Sequence, residues 1–284
     1  MNPFRSNFQG GSVKKGHRSI TIASGKGGTG KTTMTANLGV ALGMLGKKVT
    51  ILDGDLAMAN LSIVMGLTKF RTNLLDVLMG RAEVEEAVYH NYGIRVIPTG
   101  FRFEEAHEAL FKIRPERVEE VVRKILGETE FLLIDAPAGI QDATILSIAA
   151  AREMIAVCNP TYTSLVDCYK TIRLANVLGS WTRGVVVNRT GKSADLSTRE
   201  VEEFMGHTLG AVPVLAEIPE DPTVQEAERE GVPVVVYDPE CKASLAIQGL
   251  AEVLVGKAGP PYGFSGERGR DEMVSRLVRA LTGK

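Results

Sequence analysis

The stretch Ser24 to Thr33, SGKGGTGKTT, puts residues that handle phosphate in a fixed order. It satisfies the pattern G-x-x-x-x-G-K-[ST] through Gly25, Gly30, Lys31 and Thr32. Glycines at 25, 27, 28 and 30 are expected to let the backbone curl. Successive N–H groups then converge on an anion held at the positive end of the next helix. Lys31 would reach the β- and γ-phosphates, and the Thr32 hydroxyl would ligate magnesium. The expected nucleotide contacts run from Gly25 through Lys26, Gly27, Gly28, Thr29, Gly30, Lys31 and Thr32 to Thr33. Lys26 is a second cation that the pattern does not require, and a loop serving one phosphate chain gives it no evident task.

Carboxylates for the metal side come from two other apolar runs. FLLIDAPAG (131–139) ends four apolar residues on Asp135, where a carboxylate can hold a magnesium-bound water, and the Gly139 N–H beyond it could sense a γ-phosphate. KVTILD (48–53) leads into DGDLAMANL, so Asp53 and Asp55 emerge at one strand end. One would tune the magnesium shell and the other position the attacking water. Thr32 and Asp135 are expected on the metal side and Lys31 on the phosphates, while the residues alone leave open which of Asp53 and Asp55 takes the metal and which the water. Base choice is read from VVVNRTG (185–191). A guanine reader needs Asn-Lys-x-Asp, and Asn188-Arg189-Thr190-Gly191 lacks the aspartate, whereas the Asn188 amide can pair with an adenine edge. The cofactors implied are ATP and Mg2+.

These residues need a scaffold that brings several strand ends to one edge. SITIAS (19–24), KVTILD (48–53), IRVIPTG (94–100), FLLIDAP (131–137), MIAVCNP (154–160) and RGVVVNR (183–189) are continuous apolar runs rather than alternating ones. They predict strands covered on both faces, joined by helical crossovers. The fold expected is α/β, a doubly wound, mostly parallel sheet flanked by helices on both faces. KTTMTANLGVALGML (31–45) predicts the helix after the loop, with Met34, Leu38, Leu42 and Leu45 facing inward. RPERVEEVVRKIL (114–126) predicts a cover helix with Val118, Val121, Val122 and Ile125 on one side, and KASLAIQGLAEVLVG (242–256) a helix against the sheet.

Composition bounds the partners. Thirty-three Lys and Arg nearly cancel 34 Asp and Glu over 284 residues, so no charge surplus calls for nucleic acid. Three cysteines without C-x-x-C spacing and four scattered histidines suggest neither a disulfide framework nor a zinc or iron–sulfur site, and a reducing cytoplasmic compartment is expected. The organisation expected is an extension at 1–17, an ATPase domain at 18–256, a Pro- and Gly-rich linker at 257–270 and a terminal amphipathic helix at 271–284.

Taken together, the loop Lys26-Gly27-Gly28-Thr29-Gly30-Lys31-Thr32 and the stretches DGDLAMANLSIVMGL (53–67), NLLDVLMGRAEVEEAV (73–88), DAPAGI (135–140), NPTYTSLVDCYKTI (159–172) and IPEDPTVQEAEREGVPVV (218–235) resemble the deviant phosphate-loop ATPases of the MinD/ParA group, over about 18–256. The likeness is greatest to the branch that positions cell division at the membrane. The resemblance implies that Lys26 points across a two-fold interface to the partner's phosphates, giving an ATP-dependent homodimer. It also implies a first-switch role for Asp55 with Asp53 beside it on the magnesium side, a second-switch role for Asp135, and an ATP-state surface formed with Asn60. Asn188 and the turn Pro219, Glu220, Asp221 match adenine-binding positions.

A regulatory or cargo protein is the expected partner. The iron–sulfur branch is disfavoured because Cys158 and Cys168 lack its paired spacing. Alternatives within and beyond the resemblance are an ATPase that places a partition complex or a flagellar or polar assembly, and a nucleotide-gated scaffold with negligible hydrolysis. In DEMVSRLVRALTGK (271–284), Met273, Val274, Leu277, Val278 and Leu281 share a face, with Arg276, Arg279 and Lys284 elsewhere, which suits an anionic membrane surface or docking on protein.

Overall fold

The computed structural model describes residues 17–56, 59–100, 115–191, 194–209 and 212–256. The expected linker and terminal helix, including Met273, Val274, Leu277, Val278 and Leu281, lie outside the described residues. So does nearly all of the N-terminal extension. His17, expected to belong to that extension, is hydrogen-bonded through its ring to the Thr129 carbonyl.

Eight strands form one sheet in the order β3-β4-β2-β5-β1-β6-β7-β8. They are β1 Arg18–Ser24, β2 Val49–Asp53, β3 Tyr89–Asn91, β4 Ile94–Ile97, β5 Phe131–Ala138, β6 Glu153–Cys158, β7 Trp181–Thr190 and β8 Val214–Pro219. All neighbouring pairs are parallel except β3 and β4. The six strands expected are present with shifted ends. The run 94–100 stops at Ile97 because Pro98 cannot donate to the ladder. Two strands were not foreseen. β3 is three residues, too short for a periodic signal, and β8 lies at an edge with mostly half-exposed residues, so it lacks the apolar run of a central strand.

Helices cover both faces. One face carries α1 Lys31–Met44, α2 Leu61–Val64, α8 Pro222–Glu230, α9 Val234–Tyr237 and α10 Lys242–Gly256. There Ile20, Ile22, Ile51, Leu133, Ile155 and Val186 of the sheet meet Met34, Leu38 and Leu42 of α1 and Ile247, Leu250 and Leu254 of α10. The other face carries α3 Leu74–Leu78, α4 Pro115–Gly127, α5 Asp142–Ala150, α6 Tyr162–Val177 and α7 Thr198–Leu209. Val121, Val122 and Ile125 of α4 lie on Leu132 and Ile134, while Leu165, Cys168 and Ile172 of α6 lie on Ala156, Cys158 and Val187. The Val118 side chain lies outside the described set. Strand residues therefore alternate between two apolar layers, which is why the runs read as continuous.

α1 is buried almost all round, since α10 covers the side that the sheet does not. Leu45, expected to face inward, is 42% exposed, because the helix ends at Met44 before that turn closes.

Candidate functional site

The loop joining β1 to α1 lies at the carboxyl edge of the sheet. Its glycines do different jobs. Gly28 (φ 77°) and Gly30 (φ 87°) occupy left-handed backbone, and Gly30 is the residue preceding α1. Gly25 and Gly27, expected to curl in the same way, are not in that region. A Cβ on Gly25 would lie 2.3 Å from the Asp167 carbonyl oxygen, so glycine there lets α6 come close. A Cβ on Gly30 would lie 2.3 Å from Asn188 Nδ2. That amide donates to the Thr29 carbonyl at 2.8 Å, so Asn188 at the end of β7 clamps the loop from one side.

Lys31 is buried at 8% exposure. Thr32 hydrogen-bonds to Asp135, and the Lys31 charge also acts on that carboxylate. Thr35, one turn on, donates to Asp135 Oδ1 at 3.0 Å. Asp135 on β5 stands in register with Asp53 on β2, and both are essentially inaccessible. Burial raises the Asp135 pKa to about 6 against the opposing pull of Thr32, Lys31 and Thr35. Burial, and then the Asp135 charge, pushes Asp53 well above the usual carboxylate range. Asp53 Oδ1 accepts from the Asp55 N–H at 3.1 Å, whereas Asp53 Oδ2 is buried with no hydrogen-bond partner among the described residues.

Two adjoining carboxylates that burial disfavours as anions, one with an orphaned oxygen, beside a threonine hydroxyl make a hard oxygen donor set. It fits a divalent cation that keeps waters and phosphate oxygens as its other ligands. Thr32, Asp53 and Asp135 are thus brought together as expected. Asp55 follows at the edge, half-buried, and Asn60 is exposed at the start of α2.

Other expected residues have additional ties. Lys26 Nζ donates to Thr163 Oγ1 of α6 at 3.2 Å, an exposed bond. The Gly139 N–H, expected to sense a γ-phosphate, donates to the Ser24 carbonyl at 3.2 Å, so that role needs this bond to open. Pro219 ends β8, and the Glu220 N–H donates to the Thr190 carbonyl at 2.8 Å, which sets the 219–221 turn beside Asn188. Asp221 caps α8, accepting from the Thr223 N–H at 3.0 Å, so its carboxylate serves the turn's shape. Burial would raise its pKa, but the bonds from Thr223 and the Ala243 N–H outweigh that and lower it.

Sequence reasoning missed Thr35, which supports Asp135, and Glu228 of α8, whose carboxylate accepts from the Thr33 hydroxyl. Thr35 lies unremarked within 31–45 and Glu228 within 218–235, and only the fold brings them in. Cys158 and Cys168 are both in the interior, and Cys158 together with burial pushes the Cys168 thiol up. No helix among the described residues is long and apolar enough to cross a membrane.

Comparison with known proteins gives the family and the fold. The profile of the ParA family, described as NUBPL iron-transfer P-loop NTPase, matches residues 15–255. An uncharacterized ATP-binding protein of Methanocaldococcus jannaschii is 40% identical over 267 residues, 93% of this chain and 97% of that one. The septum site-determining protein MinD of Pyrococcus horikoshii, solved with Mg-ADP, is 40% identical with a TM-score of 0.76, over 86% of this chain and 98% of that one. A MinC:MinD cell division protein complex of Aquifex aeolicus contains a chain 30% identical with a TM-score of 0.72, over 86% and 98%.

Proposed function

The chain belongs to the ParA family of P-loop NTPases, and from that premise we propose that it is a MinD-like switch that binds Mg-ATP and hydrolyses it to ADP and phosphate. The observation that carries this reading is the register of Asp53 and Asp135 beneath Thr32, with one carboxylate oxygen left without a hydrogen-bond partner among the described residues. Mg2+ supplies charge neutralisation for the phosphates when bound, and Thr32, Asp53 and Asp135 would hold it. The N–H groups of the 25–33 loop and Lys31 bind the phosphate chain, Asn188 and the 219–221 turn take the adenine side, and Asp55 orients the attacking water.

Lys26 acts in trans, on the phosphates of a second subunit in an ATP-dependent homodimer. Its exposed bond to Thr163 supports this, because it holds the cation at the surface. Beside it the surface is apolar: Tyr162 is 67% exposed and Ile140, next to Gly139, is 46% exposed. The dimer recruits a regulatory or cargo protein in placing a division site, and hydrolysis, slow until the partner stimulates it, dissolves the dimer. The segment 271–284, whose sequence spacing suits an amphipathic helix, takes the dimer to the inner face of the cell membrane. The solved MinD relatives, one with Mg-ADP and one with MinC, support the nucleotide and the kind of partner.

Light scattering of wild type and Lys26→Ala with ATP tests the trans lysine. Wild type should dimerise with ATP and not with ADP, and Lys26→Ala should stay monomeric. Unchanged dimers in the variant would refute that role. Phosphate release, expected to fall at least tenfold in Asp55→Ala, separates the switch from a scaffold with negligible hydrolysis.

A further inference from the structure

The segment that carries Asp55 and Asn60 is anchored at its far end. Leu61 and Met65 are fully buried there, while Ile63 between them stays exposed. The Met65 carbonyl accepts from Asn91 Nδ2 at 2.6 Å, at the point where β3 turns into β4. In that two-residue turn Tyr92 (φ 47°) and Gly93 (φ 76°) both take the left-handed backbone that a tight hairpin requires. Gly66 (φ 65°) then meets Gly231 (φ 65°) backbone to backbone. A Cβ on Gly66 would lie 2.5 Å from the Gly231 carbonyl oxygen, and one on Gly231 would lie 3.1 Å from the Gly66 Cα. The Tyr92 hydroxyl donates to the same Gly231 carbonyl at 3.5 Å.

Gly231 ends α8, and the start of α8 is Asp221, in the turn assigned to the base. One nine-residue helix thus runs from the base turn to the far end of the segment that carries Asp55. A helix this short is stiff, and close-packed backbones pass strain on rather than absorb it. We propose that α8 carries base recognition to the hydrolytic step. A base seated at 219–221 fixes the start of α8, the Gly231 end then holds Gly66, and Asn91 holds Met65, so that Asp55 meets the attacking water in one position. A nucleotide whose base does not seat there still binds through its phosphates but is split slowly. Asn91 is a positioning residue, acting on Asp55 through the backbone of 54–65. This inference rests on the nucleotide and base reading given above, and goes beyond it in making the base a determinant of rate as well as of affinity.

The test compares ATP with GTP, whose base lacks the acceptor it needs at 188–191, each with Mg2+ and the full chain. Equilibrium binding gives the affinities, and single-turnover phosphate release, with protein in excess, gives the rate of the bound nucleotide. Wild type should bind ATP more tightly than GTP and split bound ATP about tenfold faster or more, as expected when a water-positioning group is misplaced. Asn91→Ala should bring the ATP rate to within about twofold of the GTP rate and leave both affinities within about twofold of wild type. Asn91→Gln, which keeps the amide donor, should retain most of the difference. Gly66→Ala, which cannot keep the Gly231 contact, should lose it. Equal single-turnover rates in wild type overturn the proposal, since the base then acts on affinity alone. A rate ratio that survives in Asn91→Ala overturns it too, whether or not both rates fall. So does weaker binding of both nucleotides by Asn91→Ala, which would make Asn91 a support of the pocket itself. Equal affinity of wild type for ATP and GTP refutes the base reading underneath, and binding of neither refutes the nucleotide reading.

Discussion

Asp53 and Asp135 stand opposite each other on adjacent strands, where burial disfavours the charged form of each. The pKa of Asp135 is raised to about 6 mainly by burial, above the ordinary 3.8 that an unfolded chain would show. The folded state therefore takes up a proton before the unfolded state does. The ionised carboxylate penalises the cation-free protein above about pH 6, and the penalty disappears as the pH falls through the window down to about 4. Asp135→Asn should thus stabilise the protein in EDTA at pH 8 by about 2 kcal/mol. The gain should vanish near pH 4, where wild type carries the proton itself. Urea denaturation of both proteins at several pH values measures this, and a gain independent of pH would show that folding does not shift the Asp135 pKa. With Mg2+ and ATP present the order should reverse, since the variant lacks a ligand.

At the level of elements, the end of the sheet opposite the phosphate loop is joined by charge. Arg18 at the start of β1 makes a two-pronged pair with Glu153 at the start of β6, at 2.8 and 2.5 Å, and also donates to the Leu254 carbonyl of α10 at 2.6 Å. Glu153 is 2% exposed and Arg183 of β7 approaches it at 3.7 Å, so one carboxylate organises three elements. Arg18→Ala leaves Glu153 short of its main partner and an orphaned carbonyl at the end of α10, and should cost about 3 kcal/mol in urea denaturation. Arg199→Ala, which removes the exposed pair with Glu203 on α7, should cause no measurable change and serves as the control. None of this was legible in the sequence, because Arg18, Glu153 and Leu254 are far apart along the chain and belong to no pattern. The central strands and the loop were legible because their signals are local: continuous apolar runs, glycines and one spacing of Lys31 and Thr32. Gly25 shows the limit. The motif marks it as a phosphate-loop glycine, but its necessity comes from α6, whose Asp167 backbone leaves no room for a Cβ. Thr35 and Glu228 were illegible for the same reason, since each acquires its role only when a helix is laid against a strand end or another helix.

For the whole molecule, the proposed switch requires that a change at the γ-phosphate alter what the protein binds. The proposed means of doing so at a membrane is the segment 271–284, where a helix would place Met273, Val274, Leu277, Val278 and Leu281 on one face, with Arg276 and Arg279 off it. A helix that short, with Asp271 and Glu272 at its start, would gain only a marginal affinity for a lipid surface. Two copies held in one dimer bind with an effective concentration that multiplies that affinity by a factor of about a hundred or more. ATP should therefore control attachment through subunit number alone, without any change in the tail itself. Co-sedimentation with vesicles containing anionic lipid should recover the full chain with ATP and Mg2+ at least tenfold better than with ADP. Deleting 271–284 should abolish recovery in both states while leaving ATP-dependent dimerisation in light scattering intact. Lys26→Ala should behave as the ADP state does even with ATP present, because it cannot bring two tails together. Equal recovery with ATP and ADP would mean that one tail suffices, and persistence after the deletion would place the membrane contact elsewhere on the chain.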